Sequence, residues 1–160
     1  VNIKGSYKNP LLITGTSGKD VIKESLDGAT ITALGGNDTI RNYGDYASID
    51  GGANNDNIRN YGDDVKITGG TGNDQIRNYG YGATITGGTG NDTLRNYSEE
   101  TFIKYTSGDD NDLITGFNET STLQIGGGTG TYYTVENGKD IIVTAGAGNH
   151  PQGRGDARRA

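Results

Sequence analysis

The strongest constraint on this chain is a repeat. Asp20, Asp38, Asp56, Asp74, Asp92 and Asp110 stand 18 residues apart, and Ile22, Ile40, Ile58, Ile76 and Leu94 follow the first five at a distance of two. A second series, Ile13, Ile31, Ile49, Ile67, Ile85 and Ile103, keeps the same interval and runs nine residues ahead of the first. The unit is a nonapeptide used twice per turn. Nine residues cannot hold a helix and a strand with their connections, but they suffice for a short strand and a tight turn. In Thr84-Ile85-Thr86 the side chains alternate polar, apolar, polar, which turns isoleucine inward and both threonines out. Stacking such turns places two isoleucine rows between two parallel sheets. The expected fold class is all-β, a parallel β-roll or β-solenoid; five to six rungs at about 4.8 Å would run roughly 25 Å.

Composition says that isoleucine cannot be the whole account. Only 30% of residues are hydrophobic, mean hydropathy is -0.68, and 29 glycines stand beside no cysteine, methionine or tryptophan. Such a fold must be held by hydrogen-bond ladders or bound ions. The 160 residues leave room for one folded unit and a tail. A net charge of -6 argues against nucleic acid as a partner and suits a chain that meets cations. No apolar run approaches a membrane span, and the chain opens at Val1 without the layout of a signal peptide, as expected of a piece of a longer protein.

The two half-phrases differ. GTSGKD, ALGGND, GGANND, GGTGND, GGTGND and YTSGDD, at 15–20, 33–38, 51–56, 69–74, 87–92 and 105–110, carry Asp at the sixth position. The fourth position is Gly in all but one, where Asn54 replaces it, the residue that next best tolerates a left-handed backbone. In the same frame NYGDYA, NYGDDV and NYGYGA end in Ala47, Val65 and Ala83, which ligate nothing. One edge should therefore carry a column of carboxylates and the other should replace it with packing.

GGTGNDQIR and GGTGNDTLR resemble the GGxGxDxUx nonapeptide of the repeats-in-toxin, or hemolysin-type calcium-binding, β-roll family. The likeness spans residues 11–116, with one or two substitutions at 15–23, 33–41 and 51–59. It implies calcium between successive turns on one edge, held by Asp20, Asp38, Asp56, Asp74, Asp92 and Asp110 and by carbonyls of turns that contain Gly70, Gly72, Gly88 and Gly90. It also implies a module of a secreted bacterial protein that folds on meeting calcium. The family usually carries the Asp-bearing turn on both edges; here only one column of sites is expected. Physical reasoning agrees: carboxylates about 4.8 Å apart repel by roughly 1 kcal/mol in water and about 3 at an effective dielectric near 20, which a hard cation removes. The competing reading is a metal-independent structural or adhesive solenoid, in which Arg41, Arg59, Arg77 and Arg95 offset the aspartates.

Tyr43, Tyr61, Tyr79 and Tyr97, each preceded by Asn, form a further column, read as an amide ladder and stacked rings rather than a sugar-binding strip. The outward threonines resemble an ice-binding ladder, but Asp50 and Lys66 break it. After Asn96 the period fails; Asp109, Asp110 and Asp112 are either a terminal calcium site or the frayed end of the column. The expected organisation is a roll over 1–116, a capping hairpin over 117–146 that turns at Glu136-Asn137-Gly138-Lys139, and a flexible tail over 147–160. The tail holds His150-Pro151-Gln152 and Arg154-Gly155-Asp156, short matches to recognition tripeptides that are read as linker. Nothing looks catalytic: the one His lies in the tail, Cys is absent, and no glycine loop has phosphate-binding context. The expected partners are calcium ions and, through the solenoid faces, a cell surface or further copies.

Overall fold

The computed structural model describes residues 11–106 and 109–126, and the backbone of 131–137 and 140–146. Pro10 and the segment before it, the hairpin turn at Gly138 and Lys139, and the tail with its two tripeptides lie outside the described residues.

Every element is a strand. Those of one series are β1 (Leu12–Thr14), β3 (Thr30–Thr32), β5 (Ser48–Ala53), β7 (Lys66–Thr71), β9 (Thr84–Thr89), β11 (Phe102–Thr106) and β13 (Thr122–Gly126). The alternate series is β2 (Val21–Glu24), β4 (Thr39–Asn42), β6 (Asn57–Asn60), β8 (Gln75–Asn78), β10 (Thr93–Asn96) and β12 (Asn111–Thr115), followed by β14 (Thr131–Asn137) and β15 (Asp140–Gly146). Odd strands stack in order into one seven-stranded sheet; β2 to β12 stack into the other, to which β15 and β14 add. The chain is a β-solenoid of about six turns, as the repeat requires.

Register follows the isoleucines. Ile13, Ile31, Ile49, Ile67, Ile85 and Ile103 pair in sequence through the odd sheet. Ile22, Ile40, Ile58, Ile76, Leu94 and Ile114 do the same in the even sheet. All are buried, and a one-residue slip would turn a whole row out to solvent. Between Thr106 and Asn111 two extra residues enter: β10 pairs with β12 through Thr93↔Leu113, a step of 20 where the earlier rungs step by 18.

The end of the even sheet is closed by the hairpin. β15 runs antiparallel on β12 and pairs with β14, so the last parallel edge of that sheet is covered. Among the described residues no helix is long and apolar enough to cross a membrane.

Candidate functional site

The solenoid turns two kinds of corner, and the chemistry lies in the one that leads from an odd strand to an even one. There the aspartates point into the protein. Asp20, Asp38, Asp56, Asp74 and Asp92 are all buried, and each main-chain N–H donates to the carboxylate one rung on: Asp20 to Asp38 Oδ1 at 2.7 Å, Asp38 to Asp56 at 2.7 Å, Asp56 to Asp74 at 2.8 Å and Asp74 to Asp92 at 2.8 Å. One oxygen of Asp38, Asp56, Asp74 and Asp92 is thereby fixed as a rung-to-rung clasp.

The last clasp corrects the sequence reading. Asp92 N–H donates to Asp112 Oδ1 at 2.9 Å, so Asp112, not Asp110, continues the column. The two-residue insertion moves the phrase: Asn111-Asp112-Leu113-Ile114 repeats the pattern of Asn91-Asp92-Thr93-Leu94, a signal visible in the sequence once strict spacing is relaxed. Asp110 is exposed with φ of 60°, and its carbonyl accepts the Tyr105 hydroxyl. Asp109 is buried and accepts the Thr106 N–H at 2.5 Å.

The second carboxylate oxygen separates the rungs. Oδ2 of Asp38, Asp56, Asp74 and Asp92 is buried with no hydrogen-bond partner. Asp20 Oδ2 instead accepts the Thr16 N–H at 2.6 Å and its hydroxyl at 3.0 Å. The first residue of each turn explains what surrounds these oxygens. A Cβ added at Gly51 would meet both Asp56 Oδ2 and the Gly69 carbonyl, and one at Gly69 would meet Asp74 Oδ2 and the Gly87 carbonyl. Carboxylate and carbonyl oxygen thus converge on the glycine and crowd the position a Cβ would take. In the Asp38 rung the methyl of buried Ala33 takes that position, and in the last rung the side chain of buried Tyr105 takes it.

Gly70, Gly72, Gly88 and Gly90 have φ of 123°, 123°, 110° and 121°, which a side chain would resist; Leu34 and Asn54 accept φ of 76° and 77° at equivalent positions. Turn groups already ladder with neighbouring rungs: Ala53 N–H reaches the Leu34 carbonyl at 2.9 Å, and Gly72 N–H the Thr89 carbonyl at 2.8 Å. Asn37, Asn55, Asn73 and Asn91 form an outer ladder that runs in the opposite sense, each Oδ1 accepting an N–H from the rung after it. The spacing analysis did not single out this asparagine column, though its regularity was there to be read.

Electrostatics follow from burial. Desolvation pushes Asp56, Asp74 and Asp92 up to about 6 and Asp112 up to about 8; the clasping N–H groups oppose this and neighbouring carboxylates add to it. Asp38 and Asp109 are raised by the same cause. The arginines do not relieve the column. Among the described residues none forms an ion pair with it; Arg41, Arg59, Arg77 and Arg95 alternate with buried isoleucine and asparagine and lie on the outer face of the even sheet.

The other corner is neutral. Asn42 Nδ2 donates to Asn60 Oδ1, Asn60 to Asn78 and Asn78 to Asn96, at 2.8, 2.9 and 3.0 Å. Each of the four amides also reaches a carbonyl two residues on at 2.7 Å. Outside them Tyr43, Tyr61, Tyr79 and Tyr97 stack with centroids 4.7 to 4.9 Å apart and planes within 5°. Their faces cover one another, which leaves no open ring face along the column for a sugar to lie on.

Whether a hard cation fits can be judged on these atoms. The candidate donors are all oxygen, they are buried, and at the Asp56 and Asp74 rungs carboxylate and carbonyl oxygen converge beside a glycine, a donor type that calcium takes. Among the described residues no three acidic or histidine side chains converge, so backbone oxygen would supply most of any shell. The Asp56, Asp74 and Asp92 rungs fit best; Asp20 is already satisfied, and the Asp38 rung is filled by Ala33. Searches of protein-family models, curated proteins and solved structures match nothing to this chain.

Proposed function

We propose that the chain is a noncatalytic calcium-binding β-solenoid module of the hemolysin-type nonapeptide kind, working outside the cell. The observation that carries this reading is the set of four buried, unpartnered carboxylate oxygens, Oδ2 of Asp38, Asp56, Asp74 and Asp92. A buried anionic oxygen without a donor is costly, and its environment must supply positive charge. A divalent cation held by Asp56, Asp74 and Asp92 with turn carbonyls such as those of Gly69 and Gly87 would neutralise the column and tie one rung to the next. Binding free energy would then be folding free energy.

A second reading rests on a different observation. The turn backbone hydrogen-bonds directly from rung to rung, which favours a metal-independent structural solenoid whose buried carboxylates hold protons. Calorimetry and far-ultraviolet circular dichroism of the full chain, titrated with calcium from chelator at neutral pH, separate the two. The calcium reading expects saturable binding with a cooperative gain of β signal. A complete β spectrum in chelator with no calcium heat would sink it and leave the scaffold.

A further inference from the structure

The asparagine corner carries three columns side by side on its outer surface. Along each rung, residues two apart point outward while Ile, Asn and Gly between them point in: Arg41, Tyr43 and Asp45 flank buried Asn42 and Gly44, and Arg59, Tyr61 and Asp63 flank buried Asn60 and Gly62. Stacked over the solenoid this gives a cationic column (Lys23, Arg41, Arg59, Arg77, Arg95), an aromatic column (Tyr43, Tyr61, Tyr79, Tyr97) and a largely acidic column (Asp27, Asp45, Asp63, Glu99).

Two of the three are held straight by side-chain contacts. The tyrosines stack, and they remain between 41% and 59% exposed. The acidic column has its own ladder, in which Asp45, Asp63 and Tyr81 N–H groups reach Oδ1 of Asp27, Asp45 and Asp63 at 3.0, 2.8 and 2.8 Å. Among the described residues no arginine of the cationic column pairs with an acid, and the outward side chains of β2, β4, β6, β8 and β10 include no acid at all. A stacked aromatic strip between a cationic row in backbone register and an ordered, largely acidic row has the composition of an interface core with its rim.

We infer that this edge docks on the same edge of a second copy of the chain, as a parallel, in-register dimer. The occupant follows from charge order. Rotation by a half-turn about an axis parallel to the solenoid sets cation against anion on both sides of the tyrosines, because the order Arg, Tyr, Asp meets the order Asp, Tyr, Arg. The antiparallel arrangement sets Arg against Arg and Asp against Asp. Both copies share one rung spacing, so the match repeats at each rung. The contact is formed by the neutral corner and is independent of calcium.

The test uses the full chain, in calcium and in chelator, with sedimentation and light scattering at low and high salt. The expected result is a dimer at low salt that weakens as salt screens the two rims. Arg41→Glu/Arg59→Glu alone and Asp45→Arg/Asp63→Arg alone should each weaken self-association at least tenfold, and an equimolar mixture should restore a one-to-one complex. Asp45→Asn/Asp63→Asn keeps the ladder acceptor and serves as the folding control, weakening the dimer without repulsion. The chain has no cysteine, so Tyr43→Cys and Tyr97→Cys report orientation: each should form a disulfide with its own counterpart. A monomer at high concentration and low salt, a mixture that fails to associate, or end-position cysteines that do not crosslink to themselves would overturn the parallel dimer.

Discussion

The two corners of each rung solve the same problem with different side chains. Both must turn a strand through a tight bend and clasp it to the rung above and below, using one buried polar residue. At one corner that residue is asparagine, at the other aspartate. An amide carries a donor and an acceptor, so in the Asn42 to Asn96 column each amide donates to the next and to a carbonyl of its own turn, and only Asn42 Oδ1, at the open end of the ladder, is left without a donor. An ionised carboxylate only accepts, so the Asp38 to Asp92 column closes on one oxygen and leaves the other bare. A scaffold alone would be served by asparagine twice. On the proposed calcium reading, aspartate marks the corner that takes the cation.

The most forceful way to break this contrast is to make the corners alike. Asp56→Asn/Asp74→Asn/Asp92→Asn keeps the accepting Oδ1 and puts an NH2 in place of the bare oxygen, near the Gly69 and Gly87 carbonyls at the first two sites. We expect the triple variant to gain about 1 kcal/mol or more per site in chelator and to lose its calcium response, read by urea unfolding with and without the ion. A variant that is less stable in chelator and still answers to calcium would end the argument.

The converse change is smaller. Asn78→Asp removes the donor to Gly80 and Asn96 and should cost roughly 2 to 3 kcal/mol of stability at neutral pH, with partial recovery in acid. Equal unfolding midpoints for wild type and variant would show that the amide ladder is ornamental.

Acidity sharpens the comparison further. Asp56, Asp74 and Asp92 sit near 3.8 unfolded and about 6 folded, so between these values the folded state holds more protons. Their contribution to stability in chelator is full below about pH 4 and is lost as pH rises through about 6. Melting temperature in chelator should therefore fall by a few degrees from pH 5 to pH 7.5, whereas calcium affinity should rise over the same span because ligation needs the ionised form. A melting temperature in chelator that rises with pH would contradict the buried column.

The mildest test is Ala33→Gly. Removing the methyl beside Asp38 should cost about 1 kcal/mol or less and add one calcium to the stoichiometry measured by calorimetry. An unchanged count would mean that the Ala33 methyl is not what distinguishes the Asp38 rung from the glycine rungs.

Much of this was legible in the sequence because a solenoid turns one-dimensional spacing into three-dimensional columns. The isoleucine rows, the asparagine ladder and the tyrosine stack followed from interval alone, since residues 18 apart become neighbours. Two things did not follow. Interval assigned Asp110 to the last rung, whereas the hydrogen-bonding phrase that includes Asp112 decided it; register obeys side-chain complementarity, and a loop absorbs the surplus. Interval also could not tell a carboxylate facing solvent from one facing the core. That is decided by the path of the turn and by the rung-to-rung N–H donors that hold each carboxylate inside. The arginines, which share the aspartates' period, thus lie on the far side of the sheet from them.

The hydrogen bonds of the aspartate corner also give the rod a direction. Each inner clasp points from an amide to the carboxylate that follows, and each outer asparagine offers its oxygen to the amide that follows. In this chain β15 covers the last parallel strand of the even sheet; an uncapped rod would present amides awaiting carboxylates together with free asparagine oxygens at its leading end and the complement at its trailing end, so its extension would be vectorial, head to tail.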